Sequence, residues 1–276
     1  MIRILVFFLC FKFFSPYLEP TTLEVVSYNI RYNNTDDGKN QWKYRKASLF
    51  DYLNEKTPTV VGMQEVLHDQ LLDLQDALVE YSYVGIGRED GKTKGEYSPI
   101  FYNTQALELV TTNTFWLSQT PEQISVGWDA ALERICTYAL FEDRQSKKRF
   151  WVFNTHFDHV GTTARAESAK LILEKINSLN EKKLPIVITG DFNLTPETTP
   201  IQILQEAFED VLENLPSNAP LYGTFTGFDV EKKAERRIDY IFQKGFQIIA
   251  AKHLSLKTPE GLWVSDHHPV WLKCSF

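Results

Sequence analysis

Cysteine is scarce in this chain, and its scarcity excludes two kinds of protein. There are three in 276 residues. Cys10 lies in an apolar N-terminal stretch, and Cys136 and Cys274 are far apart, so neither a disulfide framework nor a structural zinc site can be assembled. Cys136 sits in an apolar, strand-like run and reads as core. Basic runs are equally sparse. The formal net charge is −7, from 36 Asp and Glu against 29 Lys and Arg, and the densest cationic pieces, Lys147-Lys148-Arg149 and Arg236-Arg237, are short. Proteins that grip nucleic acid through its phosphates carry a basic field, so tight sequence-specific DNA binding is disfavoured. A nuclease is not excluded, because a cleft and a bound cation offset global charge locally. After residue 20 there is no repeat, low-complexity tract, Pro/Gly-rich linker or transmembrane segment.

The N-terminus reads separately. Met1-Ile2-Arg3 is a short basic start, Ile4 to Phe14 is apolar except for Lys12, and Ser15-Pro16 follows. This pattern predicts an export signal over residues 1–20, too short to span a bilayer. It leaves residues 21–276 as one domain and the protein periplasmic or secreted. The competing reading is a buried N-terminal strand or a misplaced start codon, with a cytoplasmic protein. Lys12 and the lack of a small-x-small cleavage site favour the competitor. Leu9 before Cys10 argues against lipid attachment.

What is present has the balance of a folded domain: 43% hydrophobic, 24% charged and, on the high side, 13% aromatic. Leu23–Arg31 and Thr59–Met63 read as strands, and so do Tyr83–Gly87 and Ser98–Tyr102. Tyr44–Leu53 and His68–Val79 have helical spacing. Cys136–Glu142 and Phe150–His156 are strand-like, Ala164–Leu179 is the clearest helix, and Pro185–Thr189 is a buried strand. Arg237–Phe242, Ile248–Ala251 and Val270–Leu272 close the chain as strands. Several neighbouring strands have no helix between them, which argues against a purely parallel sheet. Two mixed β-sheets packed face to face, with helices outside, fit this α/β pattern better.

Five strings place polar residues at the tips of apolar strands, which are rigid mounts for catalytic groups. They are Ser27-Tyr28-Asn29-Ile30-Arg31, Gly62-Met63-Gln64-Glu65, Asn154-Thr155-His156-Phe157-Asp158, Gly190-Asp191-Phe192-Asn193 and Ser265-Asp266-His267-His268, the last preceded by Arg237-Ile238-Asp239-Tyr240. Each alone has an ordinary reading: Gly-Asp-x-Asn is often a turn, and a lone His156 is more often structural. Together they supply oxygen ligands, two histidines and further carboxylates without a Cys/His cluster. That inventory suits Mg²⁺ or Mn²⁺ and matches the needs of phosphate-ester hydrolysis: charge neutralisation, a base for water and donors for the transition state.

In this order the strings resemble the signature set of the endonuclease/exonuclease/phosphatase superfamily, deoxyribonuclease I-like proteins that include nucleases, inositol polyphosphate phosphatases and sphingomyelinases. The resemblance runs from Leu23 to the C-terminus, is most like secreted bacterial members, and implies a four-layer α/β sandwich. It implies Glu65 as the main metal carboxylate, with Asn29 and Asp266 near the metal. Asp191 would activate water, Asn193 would hold that water or a phosphate oxygen, and His267, oriented by Asp239, would contact phosphate. His156 would be a second catalytic histidine, oriented by Glu96, and Arg134 would aim at the phosphate. Asp158 and Arg165 read as loop-shaping residues and His268 as incidental.

The substrate stays open between three readings. A nuclease or phosphodiesterase ranks first, with Trp42, Tyr44, Arg45, Trp116 and Trp128 as candidate cleft residues that are equally candidates for the core. A phosphomonoesterase or phospholipase C-type enzyme on inositol phosphates or phospholipids is second, permitted by the acidic charge and the aromatic loop candidates Trp128, Phe225 and Phe228. A binding module with a dead site comes last, since every expected catalytic position is filled. No stable protein partner is implied.

Overall fold

Burial that alternates residue by residue builds the architecture. In β1 (Thr22–Asn29) Val25 enters one core and Val26 another, and in β2 (Val60–Gln64) Val60 and Val61 do the same. In β7 (Arg149–His156) Val152 and Phe153 face opposite cores, as do Val187 and Ile188 in β8 (Ile186–Asp191) and Ile241 and Phe242 in β10 (Asp239–Lys244). Successive side chains of a strand point to opposite faces, so a strand apolar on both faces must be covered twice. The shared core joining Val25, Val60, Val152, Val187 and Ile241 lies between two sheets. The other faces are covered by helices: Leu49 and Leu53 of α1 (Trp42–Lys56) with Leu71 and Leu74 of α2 (His68–Ala77) on one side, and Ala169, Ile172 and Ile176 of α3 (Thr162–Leu179) with Ile201 and Leu204 of α4 (Thr199–Ala207) on the other. The result is the expected four-layer sandwich. The computed structural model describes residues 21–276; the expected export signal lies outside them. Among the described residues no helix is long and apolar enough to cross a membrane.

Each sheet has six strands. With β3 (Tyr81–Val84), β4 (Ile100–Asn103), β11 (Gln247–His253) and β12 (Val270–Ser275), the first runs β11-β12-β1-β2-β4-β3. With β5 (Leu107–Trp116), β6 (Ile135–Asp143) and β9 (Glu209–Asp210), the second runs β5-β6-β7-β8-β10-β9. Each contains one parallel pair, β1–β2 joined through α1 and β7–β8 joined through α3. A helical crossover is what a parallel pair requires, and it brings both carboxyl ends to one edge. Asn29, Glu65, His156 and Asp191 stand at or just beyond those four ends.

Near that edge the apolar inter-sheet core gives way to a polar layer. Gln64 donates to Asn154 Oδ1 at 2.6 Å, Thr189 Oγ1 donates to the same oxygen at 2.9 Å, and Asn154 Nδ2 donates to the carbonyls of Met63 and Pro99 at 2.7 and 2.8 Å. Ser27 Oγ accepts from the Gly190 amide at 3.0 Å. Gly62 makes the close approach possible: a Cβ there would lie 2.0 Å from Thr189 Oγ1. A buried polar layer bonded across the sandwich in this way fixes the two sheets in one register, with only Gln64 Oε1 left without a partner among its named side-chain atoms.

Candidate active site

Asn29, at the last position of β1, donates from Nδ2 to Glu65 Oε1 at 3.0 Å and to Asp191 Oδ2 at 2.9 Å, and accepts on Oδ1 from the Arg31 amide at 3.0 Å. One side chain of the first sheet is thereby tied to carboxylates from both sheets. Glu65 lies one residue past β2 in the left-handed region, φ 59°, and accepts from the Tyr32 amide at 3.2 Å. Asp266 belongs to the loop before β12; the neighbouring Ser265 hydroxyl donates to the Asn29 carbonyl at 2.7 Å.

Two histidines flank Asp191. His156 Nε2 is 3.5 Å and His267 Nε2 3.7 Å from Asp191 Oδ2. His267 Nδ1 lies 2.8 Å from Asp239 Oδ2, so the expected pairing is present. Burial would lower the His267 pKa, but the Asp239 and Asp191 carboxylates outweigh it and hold the ring well above its ordinary value. Its cationic form is therefore the stable one here. His156 goes the other way: burial, then the Arg134 guanidinium, lowers it to about 3. It is a neutral imidazole. Asn193 Nδ2 lies 3.1 Å from its Nε2, an arrangement that donates to a neutral ring, and is 3.0 Å from the Phe157 carbonyl. Burial, then the Asp239 charge, raises Asp191. Asp266 is raised to about 6, by burial first and then by Glu65 after the opposing effect of His267.

Glu96 requires a correction. It sits beside His156, but its Oε2 is 3.6 Å from Nδ1, beyond a hydrogen bond. Both its oxygens are taken by Arg88, at 2.9 and 3.1 Å. The guanidinium fork satisfies the carboxylate that was expected to orient the ring. Arg134 is buried and lines the pocket, held by Asp158 at 3.3 Å and facing His159 Nδ1 at 3.1 Å. Asp158 is loop-shaping as expected, accepting from the amides of Ala131, Val160 and Gly161. His268 packs against Trp263, 4.6 Å between ring centres, away from the chemistry.

Of the aromatic and basic cleft candidates, Trp42, Arg45 and Trp116 are buried. Arg45 donates to the carbonyls of Ile30, Arg31 and Val264 and holds the loops behind the site. Most of the expected site residues instead converge on a cavity of about 440 Å³, whose wall also includes Tyr32, Leu132, Phe225, Arg236 and Ile238; Asn29 and Asp239 are off that wall and bond to Asp191 and His267 on it. None of these five was singled out for the site from its sequence string except Phe225, as an aromatic loop candidate for small esters. Arg236 was read only as half of a short basic pair. Arg88 is not legible in the sequence, since a single arginine in Gly85-Ile86-Gly87-Arg88 carries no pattern.

The donor set suits a divalent cation. Glu65, His156 and Asp191 each present one ligand atom within 4.8 Å of the others. The nearest guanidinium, Arg31, stays 3.9 Å from Glu65 and 4.0 Å from Asp266. With the His267 cation on the Asp191 side, the Glu65 and Asp266 carboxylates keep, among the described residues, only this guanidinium at the edge of ion-pair range, and oxygen ligands so placed suit a hard cation. Of the expected trio of Asn29, Glu65 and Asp266, the two carboxylates share the cavity wall, and Asn29 turns its amide nitrogen to Glu65 and Asp191.

A four-layer sandwich with this histidine and carboxylate cluster at one edge defines a phosphoesterase. The chain belongs to the endonuclease/exonuclease/phosphatase family, whose model matches residues 26–267, and it is a hydrolase of phosphate esters. It is similar to a family protein of Bacteroides thetaiotaomicron, 36% identical, TM-score 0.86, covering 94% of this chain and 99% of that one. It is also similar to a mannosyl-6-phosphatase of Bacteroides thetaiotaomicron, 35% identical, TM-score 0.84, covering 92% and 100%. The catalytic domain of human nocturnin, 18% identical over 92% of this chain and 94% of that one with TM-score 0.72, shares the fold. A mimivirus protein, L388 of Acanthamoeba polyphaga mimivirus, is 28% identical over 55% of this chain, which spans 59% of that protein's length.

Proposed function

We propose that this chain is a metal-assisted phosphomonoesterase acting on a small sugar or polyol phosphate. The observation that carries the reading is the bounded site: a cavity of about 440 Å³, open on one side, with Glu65, His156, Asp191, Asn193, Asp266 and His267 on its wall. That volume suits a phosphorylated hexose better than a duplex. The full-length likeness to a mannosyl-6-phosphatase supports it, and so does the acidic charge. This reverses the order drawn from the sequence, where a nuclease came first.

In the proposed reaction a water oxygen attacks phosphorus in line as the bond to the sugar oxygen breaks. Asp191 takes the water's proton; burial raises its pKa and brings it nearer to neutral pH as a base. Asn193, fixed by its contacts with His156 and the Phe157 carbonyl, positions that water. His267, kept cationic by Asp239, donates to a phosphoryl oxygen, and neutral His156 orders the opposite side. Arg134 adds positive potential, and the leaving oxygen is reprotonated from solvent. Glu65, with Asp266 on the same wall and Asn29 beside it, would hold Mg²⁺ or Mn²⁺, which would neutralise charge on the phosphate.

The test is a panel with purified protein and Mg²⁺: hexose 6-phosphates, inositol phosphates, sphingomyelin, bis-p-nitrophenyl phosphate, RNA and single- and double-stranded DNA, each beside Asp191→Asn. Phosphate release from the hexose esters, lost in the variant, is expected. Cleavage of nucleic acid alone would overturn the monoesterase reading and restore the nuclease. EDTA should silence the wild type and added Mg²⁺ or Mn²⁺ restore it; activity that survives chelation would sink the metal assignment. Export through residues 1–20 belongs to the same proposal, and fractionation of the native host checks it: a wholly cytoplasmic protein refutes it.

A further inference from the structure

The catalytic cavity does not end at its catalytic residues. Phe225 and Arg236 line it, and the same two residues line a second cavity of about 470 Å³ whose wall continues through Asp229, Lys232, Lys233 and Glu235. The two spaces share a boundary made of one aromatic ring and one guanidinium.

That boundary is held rigidly. The amides of Thr224 and Phe225 donate to the Arg236 carbonyl at 2.8 and 3.2 Å, and the Gly223 amide donates to Ala234 at 3.2 Å, so the two arms of the loop pair with each other. The Thr226 amide donates to the Asp266 carbonyl and the His268 amide to the Thr224 carbonyl, both at 2.7 Å. Phe225 is thereby clamped between Arg236 and the segment carrying Asp266 and His267. Its ring meets the His267 ring edge-on, 5.2 Å between centres, and remains 37% exposed. An aromatic face fixed beside the reacting phosphate is a platform for the ring that bears it.

The cations around it are divided in a telling way. Arg237 is buried and bound through both terminal nitrogens to Asp210, so it only anchors the loop. Lys232 pairs with Asp229 at 3.3 Å. Arg236 and Lys233 make no ion pair among the described residues. Asp229 is partly committed as a turn acceptor from the Glu231 and Lys232 amides, which leaves Glu235 as the one opposing carboxylate on this wall outside that pair. In a chain of net charge −7, two uncommitted cations beside the active cavity focus attraction for an anion.

We propose that the loop from Phe225 to Arg236 is a leaving-group subsite selecting phosphate esters that carry a second anionic group, with Phe225 stacking the ring and Arg236 and Lys233 holding the second charge. This deepens the sugar-phosphatase reading and rests on it for the kind of ring bound. Phe225 and Arg236 are specificity residues, not catalytic ones.

Binding separates this inference from that reading. In the Asp191→Asn background with Mg²⁺, calorimetry compares fructose 1,6-bisphosphate with fructose 6-phosphate. The bisphosphate is expected to bind about tenfold more tightly, the scale of one charge-assisted hydrogen bond. Arg236→Gln with Lys233→Gln, both at exposed positions, should bring that ratio to about one and remove its dependence on salt. Phe225→Ala should weaken both ligands by a similar factor. A ratio near one without the loop substitutions, or a ratio they leave unchanged, overturns the subsite. Hydrolysis of fructose 6-phosphate by the wild type, measured separately, tests the phosphomonoesterase reading, so each can fail without the other.

Discussion

Glu65 and Asn193 sit at φ 59° and 54°, in the left-handed region that non-glycine residues seldom enter. Both are candidate site residues just past a parallel strand, and this backbone bend aims each side chain back over the strand ends. Such conformations cost of order 1 kcal/mol and persist where the surroundings determine them; here the Asn29 and Tyr32 contacts hold Glu65 and the Asp191 carboxylate accepts from the Asn193 amide. The charge of Asp191 is what chemistry at this site requires, while folding does not need it, since burial raises its pKa. Asp191→Asn should therefore lower kcat by about a thousandfold or more and leave the melting temperature unchanged or slightly higher. Turnover within tenfold of the wild type, in a folded variant, would show that another group activates the water. Asp239→Asn should remove the main support of the His267 cation and lower kcat/KM by about a hundredfold. Melting alongside the kinetics separates this from a folding defect.

At the scale of the element, the parallel pairs do the positioning. β2 and β8 approach across the sandwich at Gly62 and Thr189, and the polar layer of Ser27, Gln64, Asn154 and Thr189 sets how the two halves of the site face each other. Gly62→Ala would place a carbon 2.0 Å from Thr189 Oγ1. Overpacking of this kind costs about 1–3 kcal/mol, so urea denaturation should show a loss of about 2 kcal/mol, and activity should fall with it because the strand ends move apart. Wild-type stability in Gly62→Ala would mean that the sheets can slide without disturbing the layer. Of the elements that the sequence does not show, two are hidden for identifiable reasons. β5 is an edge strand whose Val110 to Asn113 segment is exposed or half-exposed, with a bulge between Leu109 and Thr111, so its period-two pattern is interrupted. α4 begins at Thr199-Pro200 just after Thr195-Pro196, and the proline-rich approach reads as a turn although Pro200 is compatible with a helix start.

For the whole molecule, buried histidines outside the catalytic cluster link stability to pH. His253 lies beneath Leu221, its Nδ1 2.7 Å from that carbonyl, and burial lowers its pKa to about 4; His268 is lowered likewise, by burial first and by His253 next. The unfolded chain takes up these protons near pH 6.5, the folded protein only near 4. Stability from a His kept neutral is thus complete above about pH 6.5 and lost as pH falls toward 4. Asp266, raised to about 6, acts in the opposite sense over part of that range, so the wild-type curve alone is not diagnostic. The difference between wild type and His253→Gln is. The variant's deficit at pH 7.5 should shrink by about 2 kcal/mol at pH 4.5, measured by urea denaturation at both values. A constant deficit would show that His253 is equally protonated in both states.

The sequence alone determined the layers and the chemical inventory. Alternating pairs such as Val25-Val26, Val60-Val61 and Val187-Ile188 require cover on both faces of a strand, and period-two burial is a local property of the chain. The polar tips Asn29, Glu65, His156, Asp191 and Asp266 were legible because each interrupts or follows an apolar run. What they do together was not. Glu96 reads as a partner for His156 until Arg88, far from any motif, takes its carboxylate. Trp42 and Arg45 read equally as cleft or core residues until the helix turns them inward. Phe225 and Arg236, eleven positions apart and joined only by a loop's own hydrogen bonds, become one wall of the site. Such pairings depend on distance and desolvation, which composition and spacing do not encode and only the packed sandwich decides.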